Sequence, residues 1–270
     1  MLMPILTAAA VIGVISVIIG ILLGILAEKL KVETDPRETG VRECLAGSNC
    51  GGCGYAGCDA YAHAVVFEGA APNLCPSSDK DKIGEIMGVC VLEKAKEVAV
   101  VKCSGTCSNT RDNYVYGDET DCRIAYLAPG HGAKKCAYGC CGLGTCASVC
   151  PYGAIRIVNG LARIDREKCM ACGKCVSVCP NRLIEIVPAA APYIVGCSSR
   201  SKGKDVKAAC DVGCIGCSMC ARVCESGAIT VENNLARMDY KKCTGCGKCA
   251  EKCPCKIIGF TGTRPKVTAQ

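Results

Sequence analysis

The stretch CMACGKCVSVCP, residues 169–180, places four cysteines within twelve residues and follows the last of them with a proline. Cysteines separated by two residues make poor disulfides, because closing such a small loop strains the preferred disulfide geometry. The same spacing lets several sulfurs converge on one metal centre. We therefore expect these cysteines to bind metal rather than to pair with one another.

The pattern of this stretch is C-x2-C-x2-C-x3-C-P, which is typical of the four-iron clusters of bacterial ferredoxins. In two-cluster ferredoxins the fourth cysteine of such a run binds the neighbouring cluster. The stretch therefore predicts a second cluster close to the first.

The chain repeats itself at an offset of 74 residues, with one unit beginning at Cys136 and the other at Cys210. Each half of a unit reads as a cysteine loop, a short helix and a strand such as AIRIV or AITVE. This predicts an α+β fold with two tandem ferredoxin-like modules, module 1 at residues 136–188 and module 2 at residues 210–262. A linker at 189–209 and a tail at 263–270 complete this part of the chain.

Module 2 carries two regular cysteine runs, and crossed ligation assigns four cysteines to each of two clusters. The first predicted set is Cys214, Cys217, Cys220 and Cys253. The second is Cys243, Cys246, Cys249 and Cys224. Glu225 stands where the pattern has proline, which affects the local turn more than the ligation.

Module 1 has one regular site and one irregular site. The regular set is Cys169, Cys172, Cys175 and Cys150. At the other site Leu143 aligns with Cys217, so one expected ligand is absent. We predict that the irregular site uses Cys136, Cys140, Cys146 and Cys179, with Cys141 as a ligand or a three-iron cluster as the open alternatives.

Residues 44–78 form a further cysteine-rich segment with the spacing C-x2-C-x4-C-x16-C. The glycines among these cysteines let the backbone pass close to a bulky ligand. A short helix is expected from Tyr55 to Glu68, with Cys44 outside the site. We predict a four-iron domain whose ligands are Cys50, Cys53, Cys58 and Cys75. Zinc is the alternative, since four thiolates also suit it.

Five clusters would use twenty of the 29 cysteines. Four of the remainder look isolated, namely Cys44, Cys90, Cys141 and Cys255. A sixth cluster is open, held by four of Cys103, Cys107, Cys122, Cys197 and Cys210. Three of these five lie in the connecting region, residues 79–135. The start of this region is expected to form a helix followed by the strand EVAVV.

Residues 1–27 contain no charged side chain, and about 20 apolar residues suffice to cross a bilayer. Basic residues, among them Lys29 and Lys31, follow this segment and none precedes it. We therefore predict a single transmembrane helix over 1–27, a polar linker over 28–43, and a soluble part on the cytoplasmic side of the cell (inner) membrane. A reducing compartment also suits thiolates that hold iron.

Other chemistry is sparse in this sequence. The two histidines, His63 and His131, have no evident catalytic partner, so we predict no catalytic residues. No nicotinamide, flavin or nucleic-acid motif is evident. Aromatic residues make up only 4% of the chain, so bound clusters are expected to supply part of its core.

An uncharged N-terminal span, then GSNCGGCGYAGC (residues 47–58), then ferredoxin repeats follow one another along the chain. This order resembles the B subunits of the Rnf complexes, membrane-bound ferredoxin:NAD oxidoreductases that pump ions, in the longer form of anaerobes. The resemblance covers nearly the whole chain. It implies that reduced ferredoxin delivers electrons to this subunit and that partner subunits carry the flavins, further clusters and the NAD site. The coupling ion, sodium or proton, stays open.

Two rival functions remain at the level of sequence. One is an electron-transfer subunit of another membrane oxidoreductase, such as a hydrogenase or a reductase. The other is a structural protein that binds zinc through its thiolates. Lysines and arginines together outnumber carboxylates in module 2, which favours docking of an acidic ferredoxin there. The alternative is that these lysines only balance the charge of the clusters.

Overall fold

The structure is a computed structural model of the chain. It describes residues 2–29, 35–91, 95–115, 117 and 120–260, and within helix α1 (Leu2–Lys29) it describes the side chains of residues 13–26. The predicted tail at 263–270 lies outside the described residues.

All the described side chains of α1 are exposed, and most of them are aliphatic, such as Ile18 and Leu22 at 59% each. Within the part of the chain that the structure describes, no helix meets the length and apolarity of a membrane span. The transmembrane helix over residues 1–27 therefore stays a prediction.

A small helical domain follows α1. Its helices are α2 (Pro36–Glu43), α3 (Cys58–Phe67) and α4 (Lys80–Met87). Asp35 and Asp79 cap α2 and α4 by accepting backbone N–H bonds. Gly88 ends α4 in the left-handed conformation that glycine adopts without strain. The expected helix over 55–68 begins at Cys58, so this cysteine lies at its first turn.

The first half of the remaining chain builds one compact unit from two antiparallel strand pairs and three short helices. Its elements are β1 (Glu97–Val101), α5 (Cys122–Leu127), α6 (Thr145–Ser148), β2 (Ile155–Val158), β3 (Leu161–Ile164), α7 (Lys174–Val178) and β4 (Ile184–Pro188). Strand β2 pairs with β3, and β1 pairs with β4. The predicted strand EVAVV thus belongs to the sheet of module 1, although it precedes that module by a long segment.

The second half repeats this arrangement. Its elements are β5 (Tyr193–Val195), α8 (Gly203–Ala209), α9 (Met219–Arg222), β6 (Ile229–Glu232), β7 (Leu235–Met238), α10 (Lys248–Lys252) and β8 (Ile258–Phe260). Strand β6 pairs with β7, and β5 pairs with β8. The predicted linker at 189–209 therefore contains a strand of module 2 and a helix.

The backbone equivalence of the two units extends beyond the sequence repeat. The Lys102 amide donates to the Leu183 carbonyl, and the Gly196 amide donates to the Ile257 carbonyl in the same way. Since Leu183 and Ile257 are 74 residues apart, Lys102 and Gly196 occupy equivalent positions. Each unit thus begins with a strand that lies before its cysteine repeat.

Three hydrophobic cores hold the described part of the chain together, one in the small domain and one in each module. Aliphatic residues such as Val98 and Leu161 are fully buried. Cysteines are members of all three cores, for example Cys75, Cys175 and Cys249. Because free thiols pack as small apolar groups, the sulfurs complete cores that have few aromatic residues.

Candidate iron–sulfur centres

Each cysteine loop in the modules turns through a left-handed residue just before the short helix that carries its third cysteine. Gly173 and Gly247 have φ angles of 79°, and Gly144 has 90°. Glycine adopts these angles without strain. Ser218 does so at 59°, as a non-glycine exception. The tight turn aims the loop cysteines and the helix cysteine at the same point.

Module 2 brings together both of its predicted cysteine sets. Burial, together with the negative charge of its three predicted partners, raises the pKa of the Cys249 thiol to about 11. Burial also raises the pKa of Cys220, with the same contribution from its own three partners. The set that contains Cys220 lines one cavity. Cys255, predicted to be isolated, lies beside this cavity as a fifth cysteine.

The regular site of module 1 has the same construction. Burial raises the pKa of the Cys175 thiol to about 11, and the charges of its three predicted partners add to the rise. All four cysteines line one cavity, together with Ala154 and Met170. The Ala99 amide of strand β1 donates to the Cys169 sulfur over 3.3 Å, so the strand from outside the repeat contacts this site directly.

The small N-terminal domain gathers the four cysteines predicted for it. Burial raises the pKa of Cys75, and charges on Cys53, Cys50 and Cys58 raise it further. The buried Tyr61 packs beside them, donates its hydroxyl to the Ala71 carbonyl and accepts from the Leu74 amide. Cys44 packs against the same core, where burial raises its pKa.

The irregular site of module 1 differs from its predicted composition. A cavity is lined by Cys140, Cys146 and Cys179, as expected, and Cys122 and Cys141 lie beside them. Cys136 does not line this cavity. It lies instead at a second cavity between the modules, with Cys103, Cys197 and Cys210.

The surroundings of Cys122 stabilise the thiolate form of its side chain. Contact with the Cys141 sulfur is the largest cause that lowers the pKa of Cys122, and the Thr145 and Leu143 amides donate to the Cys122 sulfur. The Cys122 amide in turn donates to the Thr145 hydroxyl over 2.7 Å. The amide of Leu143, which stands at the position of the missing ligand in the repeat, thus contacts the Cys122 sulfur. Cys141 instead contacts the His131 carbonyl and Asn181 on its other side.

The N-terminal domain packs directly on the regular site of module 1. A Cβ added at Gly52 would lie 2.9 Å from the Cys172 Cα, so only glycine fits there. The Tyr152 hydroxyl bonds to Ser48 at 3.2 Å and to Ser77 at 3.0 Å across the same contact. This packing puts ligand loops of two sites in van der Waals contact.

The two histidines and the remaining cysteines lie outside these groups. His63 faces Glu38 at 3.4 Å and stacks on Phe67, and His131 packs edge-on against Tyr126. Cys90 and Cys107 are exposed. Cys107 is one of the five candidates for a sixth site, and the structure places it against Gly160 instead.

The donor chemistry of these groups fits four-iron clusters, which take four thiolates each. Sulfurs converge from two sides on small cavities, and glycines keep the approaching backbone close. Among the described residues, no group of three or more His, Cys, Asp or Glu side chains is arranged to hold a single metal ion.

Three family models match parts of the chain. The FeS family model, for an Fe-S cluster, matches residues 45–77. A 4Fe-4S binding domain matches residues 162–185, and a 4Fe-4S dicluster domain matches residues 213–257. The matches confirm iron–sulfur domains in the three parts of the chain where the sequence predicts them.

Relatives that match along most of the chain identify its family more narrowly than the domain matches do. The chain is 45% identical to the B subunit of the Na⁺-translocating ferredoxin:NAD⁺ oxidoreductase complex of Acetobacterium woodii, over all of this chain and 82% of the relative. It belongs to the B-subunit family of the Rnf complexes. It is 42% identical to the B subunit of the ion-translocating oxidoreductase complex of Methanosarcina acetivorans, over 92% of this chain and 96% of the relative. The corresponding B subunit of the proton-translocating complex of Clostridium ljungdahlii is 39% identical, over 92% of this chain and 89% of the relative.

Membership in the Rnf B-subunit family confirms the resemblance read from the order of motifs. It also makes the chain an iron–sulfur electron-transfer subunit of an oxidoreductase complex. Other subunits of such a complex are its expected partners.

Proposed function

We propose that this chain takes electrons from reduced ferredoxin at module 2 and passes them, through module 1, to its N-terminal domain and on to partner subunits of an ion-translocating ferredoxin:NAD⁺ oxidoreductase. The observation that carries the proposal is the contact of Gly52 with Cys172, which joins two predicted cluster sites. A bound four-iron cluster supplies reversible uptake of one electron. The chain supplies the order of the sites.

We assign five ligand sets, and four of them are those that the sequence predicts. The N-terminal set is Cys50, Cys53, Cys58 and Cys75. Module 1 has the set Cys150, Cys169, Cys172 and Cys175. Module 2 has Cys214, Cys217, Cys220 and Cys253 in one set and Cys224, Cys243, Cys246 and Cys249 in the other. We assign Cys122, Cys140, Cys146 and Cys179 to the irregular site, with Cys122 in place of Cys136.

Cys122 is preferred to Cys141 because of the hydrogen bonds around the two sulfurs. Cys122 accepts from the Thr145 and Leu143 amides. Backbone donors of this kind stabilise a metal-bound thiolate. Cys141 donates its thiol proton to the His131 carbonyl and lies outside the proposed ligand set.

The surface of module 2 supports ferredoxin as the electron donor. Cys246 is exposed, unlike its equivalent Cys172, which the N-terminal domain partly covers. Lys248 lies close enough to Cys246 to interact with its charge, and Lys241 and Lys242 are exposed nearby in the chain. Since bacterial ferredoxins are usually acidic, these lysines would favour encounter beside a cysteine that reaches the surface.

Helix α1 supports membrane attachment. Its described side chains, residues 13–26, are aliphatic or small and exposed, and they lack charge. We propose that residues 1–27 anchor the chain in the cell membrane as a single pass, with the iron–sulfur part on the cytoplasmic side. Deletion of 1–27 should release a brown protein from the membrane with its iron content unchanged. Loss of iron on deletion would contradict this separation of anchor and clusters.

The electron-transfer proposal is tested by stopped-flow reduction with ferredoxin. Reversal of Lys241, Lys242 and Lys248 to Glu should lower the second-order rate several-fold and flatten its salt dependence, because steering charge is lost. Reduction by dithionite should not change. A matched control reverses three lysines outside module 2, namely Lys80, Lys82 and Lys96. Equal rates for both variants would overturn the docking site, and a colourless zinc-containing protein would overturn the function.

A further inference from the structure

A cavity of about 310 Å³ lies between the two modules and is lined by cysteines from both of them. It is larger than the cavity of about 20 Å³ at the first site of module 2. Chain segments from both units surround it, including residues 103–105, 134–139, 196–201 and 205–213. Its cysteines are Cys103, Cys136, Cys197 and Cys210.

Each of the two structural units contributes two of these cysteines from equivalent positions. Cys103 and Cys197 each stand two residues after the first strand of their unit, β1 and β5. Cys136 and Cys210 are 74 residues apart and begin the two repeats. The two units therefore share the cavity, and each of them lines it with two cysteines at equivalent positions.

The sulfurs of this cavity accept backbone N–H bonds in the pattern of the proposed cluster sites. At Cys103 the donor is the amide of Gly105, over 3.4 Å. The other three also accept from the amide two residues later: Cys136 from Tyr138, Cys197 from Ser199 and Cys210 from Val212. The same relation holds at ligands of the proposed clusters: Cys50 with Gly52, Cys172 with Lys174 and Cys179 with Asn181. Such donors stabilise sulfur that carries negative charge.

Glycines keep the walls of the cavity close to its sulfurs. A Cβ added at Gly105 would lie 3.6 Å from the Cys103 sulfur and 3.8 Å from the Cys210 sulfur, so these two sulfurs face one point. Gly139 and Gly213 also leave little room for a side chain, because an added Cβ would press on the Cys136 carbonyl and on Val206, respectively.

A buried cation stands beside the cavity. Lys134 is only 7% exposed, and its ammonium donates to the carbonyls of Gly105 and Gly160 at 2.9 Å and 2.8 Å. A buried lysine needs compensation for the loss of water. Its charge interacts favourably with negative charge on Cys136 and Cys210.

The cavity also occupies the place between the nearest predicted sites of the two modules. On one side, Cys103 interacts electrostatically with Cys140 of the irregular site. On the other side, the Cys214 amide donates to the Cys197 sulfur over 3.3 Å, and Cys214 belongs to the first site of module 2. A hydrogen bond to Cys214 on one side and the electrostatic interaction with Cys140 on the other thus place the cavity between these two sites.

We infer that Cys103, Cys136, Cys197 and Cys210 hold a sixth four-iron cluster, which joins the two modules into one relay. The inference rests on the proposed function for the role of the site, but its presence is measured independently of ferredoxin. In each transfer the site of Cys214 is oxidised by one electron and the site of Cys140 is reduced by one. The bridging site returns to its starting state.

The first test counts iron and electrons in the full-length chain after complete reconstitution. The wild-type chain should contain about 24 irons and accept about six electrons in coulometric reduction with a low-potential mediator. About 20 irons and about five electrons would overturn the inference. Zinc retained in place of the missing iron would overturn it as well.

The second test uses variants. Cys197→Ala and Cys136→Ala should each lose about four irons and about one electron, because both belong to the bridging set. The matched control is Cys107→Ala, which changes a cysteine of the same loop as Cys103 that lies outside the cavity. In Cys197→Ala, ferredoxin should still reduce module 2 in its first phase, while reduction of module 1 slows at least tenfold.

Unchanged iron in Cys197→Ala, or loss of four irons in Cys107→Ala, would overturn the ligand set. If ferredoxin fails to reduce even the wild-type chain while the iron and electron counts hold, the proposed donor is wrong and the bridging cluster stands.

Discussion

The two modules share one backbone design but present the same face to different surroundings. In module 1 that face carries Cys172 and is packed against Gly52 of the N-terminal domain. In module 2 the equivalent cysteine, Cys246, is exposed. The equivalent lysines also differ in their neighbours, since Lys174 interacts with Cys50 and Lys248 with Glu225. The face that is covered in module 1 is thus open in module 2, where we propose that ferredoxin docks.

A second difference between the modules lies in their cysteine runs. Module 2 completes its first site from its own repeat, with Cys217. Module 1 has Leu143 there, and we assign to its site Cys122 of helix α5, outside the repeat. Under this assignment a distant segment supplies the ligand that the repeat lacks, so equal folds do not imply equal ligand sets.

The largest expected effect comes from removing this replacement. Cys122→Ala should cost module 1 a whole cluster, about four irons per chain, because no other sulfur of the proposed set can take its position. The double variant Cys122→Ala/Leu143→Cys gives module 1 the run of module 2 and should recover the iron. Iron and sulfide analysis measures both.

The neighbouring Cys141→Ala serves as the control and should retain the cluster. Its thiol donates to the His131 carbonyl and is not assigned as a ligand, so we expect at most a shift in potential. If Cys141→Ala loses the iron and Cys122→Ala keeps it, the two roles are reversed.

A smaller effect is expected from opening the covered face of module 1. Gly52→Ala places a carbon 2.9 Å from the Cys172 backbone and should push the N-terminal domain away. Reduction of the N-terminal site by way of module 1 should slow several-fold, as measured by freeze-quench electron paramagnetic resonance. Gly40→Ala is the control, because its added carbon meets only the Ile86 side chain. Equal slowing in both variants would contradict a specific contact.

A still smaller effect is expected from removing the buried positive charge of Lys134. Lys134 has Ala208 as its equivalent in module 2, so module 1 alone has this charge. Lys134→Met should lower the potentials of the neighbouring sites on the order of 50 mV, because a nearby positive charge favours the reduced state. Redox titration should find the shift in Lys134→Met and little of it in Lys134→Arg. Identical potentials in all three proteins would show that solvent screens the charge.

The smallest effect concerns Glu225, which occupies the position of Pro151 in module 1. Its carboxylate pairs with Lys248, which lowers the Glu225 pKa. Since the pair is exposed, it contributes little stability. Glu225→Gln should free Lys248 and raise the ferredoxin association rate about twofold, with a steeper salt dependence. A slower reaction would mean that ferredoxin does not meet this face.

Much of this architecture could be predicted from the sequence because its determinants are local. The run at 169–180 and its repeat 74 residues later predict the modules, and left-handed glycines such as Gly173 are part of the motif itself. Crossed ligation also follows from the motif, since the fourth cysteine lies at the far end of a short helix. The structure brings together the four sets with regular spacing as predicted.

The irregular parts depend on contacts between distant segments, which spacing does not encode. Spacing alone favours Cys136 for the irregular site because it is a spare cysteine close by in the chain, and the structure places it at the cavity between the modules. One signal is present in the sequence: Cys136 aligns with Cys210, so the two should have equivalent roles. The pairing of β1 with β4 likewise joins residues on either side of three cysteine loops.

The shared cavity means that one unit carries only half of the residues around it. A chain with a single unit would need a second copy of itself to complete such a site, so its assembly would depend on protein concentration. In this chain both halves are tethered, and a short tether gives an effective concentration on the order of millimolar. The internal repeat thus lets one molecule complete a cavity of which a single unit lines only half.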